Sequence, residues 1–153
     1  MPIDHTMLTD VFEDVLEKFA FMFADATEID DLPDPEDDIM QVGMSFSGTF
    51  RGELVLALPT GMGAEIAANV LGVDAQDPKA CAGAPDAAKE LLNVVCGRVL
   101  TEIAGETPVF DLSVPQVSQL ALEAWTELKE QPDAVAFLVD DYPVLLRANI
   151  DND

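Results

Sequence analysis

The chain has 153 residues, with 30 Asp and Glu against 7 Lys and Arg, for a formal net charge of −23. That charge repels phosphate backbones and anionic lipid surfaces, so it argues against nucleic-acid and membrane partners. With 49% of its residues hydrophobic, the composition is that of a folded protein rather than an acidic tail, and the length suits one domain over residues 1–153. The single histidine, His5, lies near the N-terminus, which leaves little for a Ser-His-Asp relay or a histidine zinc site. The two cysteines, Cys81 and Cys96, are too few for a disulfide scaffold and suit a reducing compartment. No basic-then-apolar leader opens the chain and no apolar run reaches membrane length, so a cytoplasmic location is expected.

Residues 7–23 read as a helix, because Leu8, Val11, Phe12, Val15, Leu16, Phe19, Met22 and Phe23 recur at spacings of three and four. Thr6 or Thr9 is positioned to cap it. Residues 25–38 hold eight acids, no base, and two prolines, which reads as a solvated loop. It lacks the alternating oxygen ligands and glycine of an EF-hand, so no metal site is assigned there. Residues 39–48 alternate, with Met40, Val42, Met44 and Phe46 on one side, and read as a half-buried strand. A turn over 48–52 and a return strand over 53–58 complete a hairpin.

Residues 60–71 read as a helix closed by Gly72. An Ala/Pro/Gly-rich connector over 74–85 follows, within which Asp77-Pro78 can start a short helical turn. The next helix is expected over 86–104, stopping at Gly105. Residues 107–114 read as a strand, 120–130 as a helix by propensity, and 134–139 with 144–150 as two closing strands around a turn at 140–143. The order is helix, hairpin, two helices, then strands. It indicates an α+β fold with an antiparallel-rich sheet covered by helices.

The helix over 86–104 carries the informative pattern. At about 100° per residue, Asp86, Glu90, Asn93 and Gly97 fall within about 60° of arc. Leu91, Leu92, Val95, Val99 and Ile103 centre on the opposite side, and Cys96 reads as a small buried hydrophobe. The polar stripe offers carboxylates for a partner's cation and an amide that can hold a water through a donor and an acceptor. Its glycine lets another backbone approach, at a cost of about 1 kcal/mol of helix stability. The stripe has no nucleophile and no imidazole base. Glu-x-x-Asn alone is expected about 0.3 times by chance in a chain of this composition, but adding Asp four before and Gly four after lowers that to the order of 0.002.

The segment DAAKELLNVVCG resembles the Asp/Ser-xxx-Glu-xx-Asn-xxx-Gly signature of the CheX/CheC/FliY family of chemotaxis phosphatases. The rest of the chain, roughly residues 7–150, agrees in outline with the CheX branch. CheC-type members carry two copies of the signature. Here there is one, since Glu65 and Asn69 have a different spacing, and a single copy fits CheX. Residues 117–133 depart from the CheX pattern in carrying more helical sequence. The resemblance implies a CheC/CheX-like fold and dephosphorylation of the phospho-aspartyl response regulator CheY or a CheY-like receiver. In that role Asn93 orients the attacking water, Glu90 docks the regulator's lysine, and Asp86 and Gly97 contribute to partner binding. It implies no cofactor or metal on this chain, the Mg²⁺ being the regulator's, and a homodimer. A CheX-like module that binds a receiver or a motor protein without turnover is the alternative.

Overall fold

The computed structural model describes residues 3–151. Helix α1 (His5–Ala20) buries Leu8, Val11, Phe12, Val15 and Leu16 at the expected spacing. Its cap is Asp4 rather than a threonine, the Asp4 side chain accepting from the Thr6 amide at 2.8 Å. The helix ends earlier than its apolar pattern. Phe21 adopts left-handed backbone (φ 57°), which turns the chain out of the helix. Met22 is still buried, but Phe23 is 67% exposed.

The acidic stretch is more than a loop. Strand β1 (Asp25–Thr27) pairs with the sheet edge, a 3-10 turn (Ile29–Asp31) follows, and Leu32 is buried. Strands β2 (Ile39–Ser47) and β3 (Arg51–Pro59) form the expected hairpin, with Met40, Val42, Met44 and Phe46 all buried. Helix α2 (Thr60–Leu71) has the expected bounds and ends at Gly72, whose φ of 72° favours glycine. At its start the Asp37 carboxylate accepts from the Gly61 amide at 2.9 Å, so one acid of the acidic stretch neutralises an unpaired helix donor.

Helix α3 (Pro78–Ala104) begins eight residues before the expected start. Asp77 caps it, accepting from the Lys79 amide at 2.9 Å, and Pro78 occupies the first turn. The helix runs through Pro85, which lacks a backbone donor. Ala80, Ala84 and Ala88 form a buried small-residue seam around it, with Ala84 close against Gly63 of α2. That packing carries the helix past the proline. Beyond Gly105, regular pairing is sparser than the sequence suggests. Strand β4 is only Asp111–Leu112, and β5 (Gln116–Leu120) was not expected as a strand. Helix α4 (Ala124–Lys129) is shorter than predicted. Strands β6 (Ala134–Val139) and β7 (Tyr142–Asp151) close on a two-residue turn, Asp140-Asp141, both at positive φ. Pro143 lies inside β7 rather than in the turn.

The strands make one antiparallel seven-stranded sheet in the order β1-β6-β7-β3-β2, with β4 and β5 sharing the outer edge of β2. One face packs against α1, α2 and α3 through a core that includes Phe12, Leu56, Leu91, Leu92, Val95, Phe137 and Leu146. Phe12 and Phe137 stack with ring centroids 4.5 Å apart. On the other face α4 and the acidic stretch cover Ile39, Ala57, Ala136 and Leu145 through Trp125 and Leu32. The fold is thus α+β, an antiparallel sheet covered by helices, as expected.

Candidate functional site

Helix α3 buries one side against the sheet and leaves the other to solvent. Leu91, Leu92, Val95, Cys96, Val99 and Leu100 are buried. Burial pushes the Cys96 thiol up to about 11, so it stays protonated and serves as packing. Ile103, placed on the buried side by periodicity, is 37% exposed because the core ends a turn earlier.

The four stripe residues are brought together as the helix geometry requires. Asp86 and Glu90 are exposed, while Asn93 and Gly97 are half-buried. Asp86 lies well inside α3, which excludes a capping role for it. Its nearest cation is Lys89, at 4.0 Å. Among the described residues, the side chains of Glu90 and Asn93 make no hydrogen bond or ion pair. A Cβ built on Gly97 meets nothing within 4 Å. The glycine therefore serves no packing need of this chain, although a glycine inside a helix costs about 1 kcal/mol relative to alanine. The stripe rises about 16 Å from Asp86 to Gly97.

Immediately after Gly97, α3 is tied to α1. The Arg98 guanidinium meets the Asp14 carboxylate at 2.9 Å, and Lys18 meets it at 3.0 Å. Hydrogen bonds from Arg98 and then Lys18 hold the Asp14 carboxyl below the usual carboxylate range. The sequence does not announce this brace, since the partners are 84 residues apart.

The second Glu/Asn pair, on α2, is presented differently. The Asn69 amide donates to the Ala20 carbonyl at 2.7 Å, at the end of α1. One Glu65 carboxylate oxygen is buried and lacks a partner among the described residues. Burial first, and the Asp140 charge second, raise the Glu65 carboxyl above its ordinary range, while the Tyr142 hydroxyl acts the other way.

The chain matches the family described as "Chemotaxis phosphatase CheX" over residues 40–138, a span that includes the whole stripe. The chain belongs to the CheX family. Its fold is that of solved CheX structures at low sequence identity. CheX from Vibrio vulnificus superposes with a TM-score of 0.67 at 16% identity, covering 95% of this chain and 95% of that one. CheX from Desulfovibrio desulfuricans gives 0.66 at 13% identity, covering 95% and 97%. The CheX–CheY–BeF3–Mg2+ complex from Borrelia burgdorferi gives 0.66 at 15%, covering 98% and 99%. No curated protein matches the chain.

Among the described residues, no three His, Cys, Asp or Glu side chains gather closely enough to hold a metal ion, and no helix is long and apolar enough to cross a membrane. Sequence reasoning also missed an apolar groove beyond Gly97. Its signal is a local loss of charge, since residues 107–118 contain one charged side chain, Asp111, in a chain that is 24% charged.

Proposed function

We propose that this chain hydrolyses the aspartyl phosphate of a CheY-type response regulator. The observation that carries the reading is the unengaged Glu90/Asn93 pair on the open face of α3, in a chain of a family described as chemotaxis phosphatases. The Borrelia relative, solved as a complex of CheX with CheY, BeF3 and Mg2+, supports the choice of partner.

Asn93 reaches into the regulator's site. Its amide oxygen accepts a hydrogen bond from a water and so orients the oxygen lone pair toward phosphorus. The water oxygen bonds to phosphorus, and the bond from phosphorus to the regulator's aspartate oxygen breaks. The aspartate leaves as a carboxylate, and the water's protons end on phosphate and solvent. No phosphoryl group passes to this chain, which is why the stripe needs no nucleophile. The regulator brings its own Mg²⁺, which supplies charge stabilisation to the phosphoryl group. Glu90 pairs with a regulator lysine and fixes the register of docking. Gly97 leaves room for the regulator's backbone, and Asp86 adds a second charge at the end of the stripe. A homodimer acting in the cytoplasm completes the proposal.

The test is the decay of a CheY-type receiver, phosphorylated with acetyl phosphate, with and without this chain. Accelerated phosphate release that disappears in Asn93→Ala is expected. A stable complex with unchanged phosphate loss replaces this reading with that of a docking module. A monomeric mass by sedimentation at micromolar concentration removes the dimer.

A further inference from the structure

Beyond Gly97 the open face of α3 runs into a groove of about 230 Å³. One wall is helical, made by Gly97, Leu100 and Thr101. The Thr101 hydroxyl donates to the Gly97 carbonyl at 3.0 Å, so its polar atom is already engaged. Pro108, Phe110 and Leu112 line the groove from outside the helix, and Glu106 adds a carboxylate to the lining.

The non-helical wall is fixed in place. Phe110 belongs to a cluster with Phe50 and Phe46, at centroid distances of 5.0 and 6.1 Å. Gly48 lets this wall sit close on the hairpin, because a Cβ there would lie 2.7 Å from the Phe110 ring and 2.9 Å from the Val109 carbonyl oxygen. Leu112 pairs with Phe46 in the sheet, and the Ser113 amide donates to the Ser45 carbonyl at 2.9 Å. With this wall anchored, Val109 remains 86% exposed and Leu112 40% exposed. Apolar side chains held rigidly in solvent, in a stretch nearly free of charge, are what the centre of a protein interface looks like.

We propose that this groove is the specificity pocket of the regulator-docking surface, taking one apolar side chain of the receiver domain beside the phosphorylated site. The proposal rests on the phosphatase reading above. The occupant follows from continuity and charge. Thr101 lies one helical turn beyond Gly97 and two beyond Asn93, on the same face. A partner seated on Glu90 and Asn93 therefore meets the groove about 6 Å beyond Asn93. Glu90 before the groove and Glu106 in its lining place carboxylates beside the apolar side chains, which fits an apolar side chain with bases nearby.

The experiment measures KM and kcat for the phosphorylated receiver with the full chain. Leu112→Ser removes one wall contact and Thr101→Arg fills the pocket from the helix, so each wall is tested separately. Each is expected to raise KM five- to twentyfold with kcat within twofold of the parent. Val70→Ser, an exposed apolar change beside Leu71, which packs near Gly83 about 21 Å back along α3, leaves both constants unchanged. Unchanged KM in both groove variants, with an active parent, overturns the groove alone. A change of sedimenting mass without a change of KM also overturns it, in favour of a contact between copies. A parent that neither binds nor dephosphorylates any CheY-type receiver overturns the phosphatase reading and the groove with it. A parent that binds without turnover overturns the phosphatase reading only, provided that the variants weaken binding by the same factor.

Discussion

Helices α2 and α3 each carry a glutamate followed by an asparagine, and the two pairs are used in opposite ways. On α3, Glu90 and Asn93 stand three apart on an open face, unengaged among the described residues. On α2, Glu65 and Asn69 stand four apart, and both are engaged by or packed against the chain itself. Asn69 holds the last carbonyl of α1, and Glu65 is pressed beside Tyr142. Residue type does not separate an open, unengaged pair from a structural joint here. What separates them is whether the amide and carboxylate have already found partners within the chain. An amide tied to the fold's own backbone is held in place for that contact, whereas one on an open face of a rigid helix keeps both its donors and its acceptor for an incoming group.

The contrast can be broken most severely at Asn93. Asn93→Ala is expected to lower kcat by about 10²- to 10³-fold, the usual loss when one positioned polar group is removed from a transition state. The urea midpoint should stay close to the parent's. Glu90→Ala should act mainly on docking, raising KM about tenfold, a difference of about 1.4 kcal/mol. The effect should shrink as salt is added, because the residue is exposed. The mirror experiment on α2 gives the reverse split. Asn69→Ala orphans the Ala20 carbonyl and should cost about 1–2 kcal/mol in urea unfolding, with kcat and KM per folded molecule unchanged. Equal losses of activity at Asn69 and Asn93 would remove the distinction between the two helices.

Much of this contrast is legible in the sequence, for a physical reason. A long helix with one buried side must repeat its apolar residues at the helical period, so the stripe on α3 and the span of α2 stand out. The central strands β2, β6 and β7 are also visible, since their buried faces demand apolar residues. Edge strands carry no such demand. β5 pairs with β2 and sends only Val117 and Leu120 against the cores, leaving Gln116, Ser118 and Gln119 exposed, so its pattern is thin. β1 hides among acids for the same reason. The start of α3 is obscured because Pro85 signals a break locally, while the alanine seam that overrides it becomes visible only once α2 is packed alongside. The Arg98–Asp14 brace joins residues 84 apart, which no local pattern encodes, whereas the groove beyond Gly97 is built within residues 97–112 and shows in the sequence only as a local loss of charge.

The smallest expected effect concerns the acid on α2 and needs its sign worked out. Around Glu65 stand Tyr142 of β7, Asp140 of the β6–β7 turn and, near that phenol, Asp37 ahead of β2. Burial and the Asp140 charge raise its carboxyl in the folded state. The folded protein therefore holds this proton more tightly than the unfolded chain does. The penalty for ionising Glu65 is absent below its ordinary value of 4.5, grows as pH rises to the raised value, and is constant above it. Asp14 has the opposite sign, since Arg98 and Lys18 lower its carboxyl, and its contribution is lost as pH falls below the ordinary carboxylate range. A parent stability curve mixes the two, so the informative quantity is the difference between parent and Glu65→Gln in urea unfolding from pH 4 to 7. The variant should be slightly more stable at pH 7, with the advantage vanishing toward pH 4 and phosphatase activity unchanged. A variant less stable at pH 7 would mean that the Glu65 carboxylate is held by a favourable contact after all. The α2 pair would then be a joint built on charge as well as on the Asn69 amide.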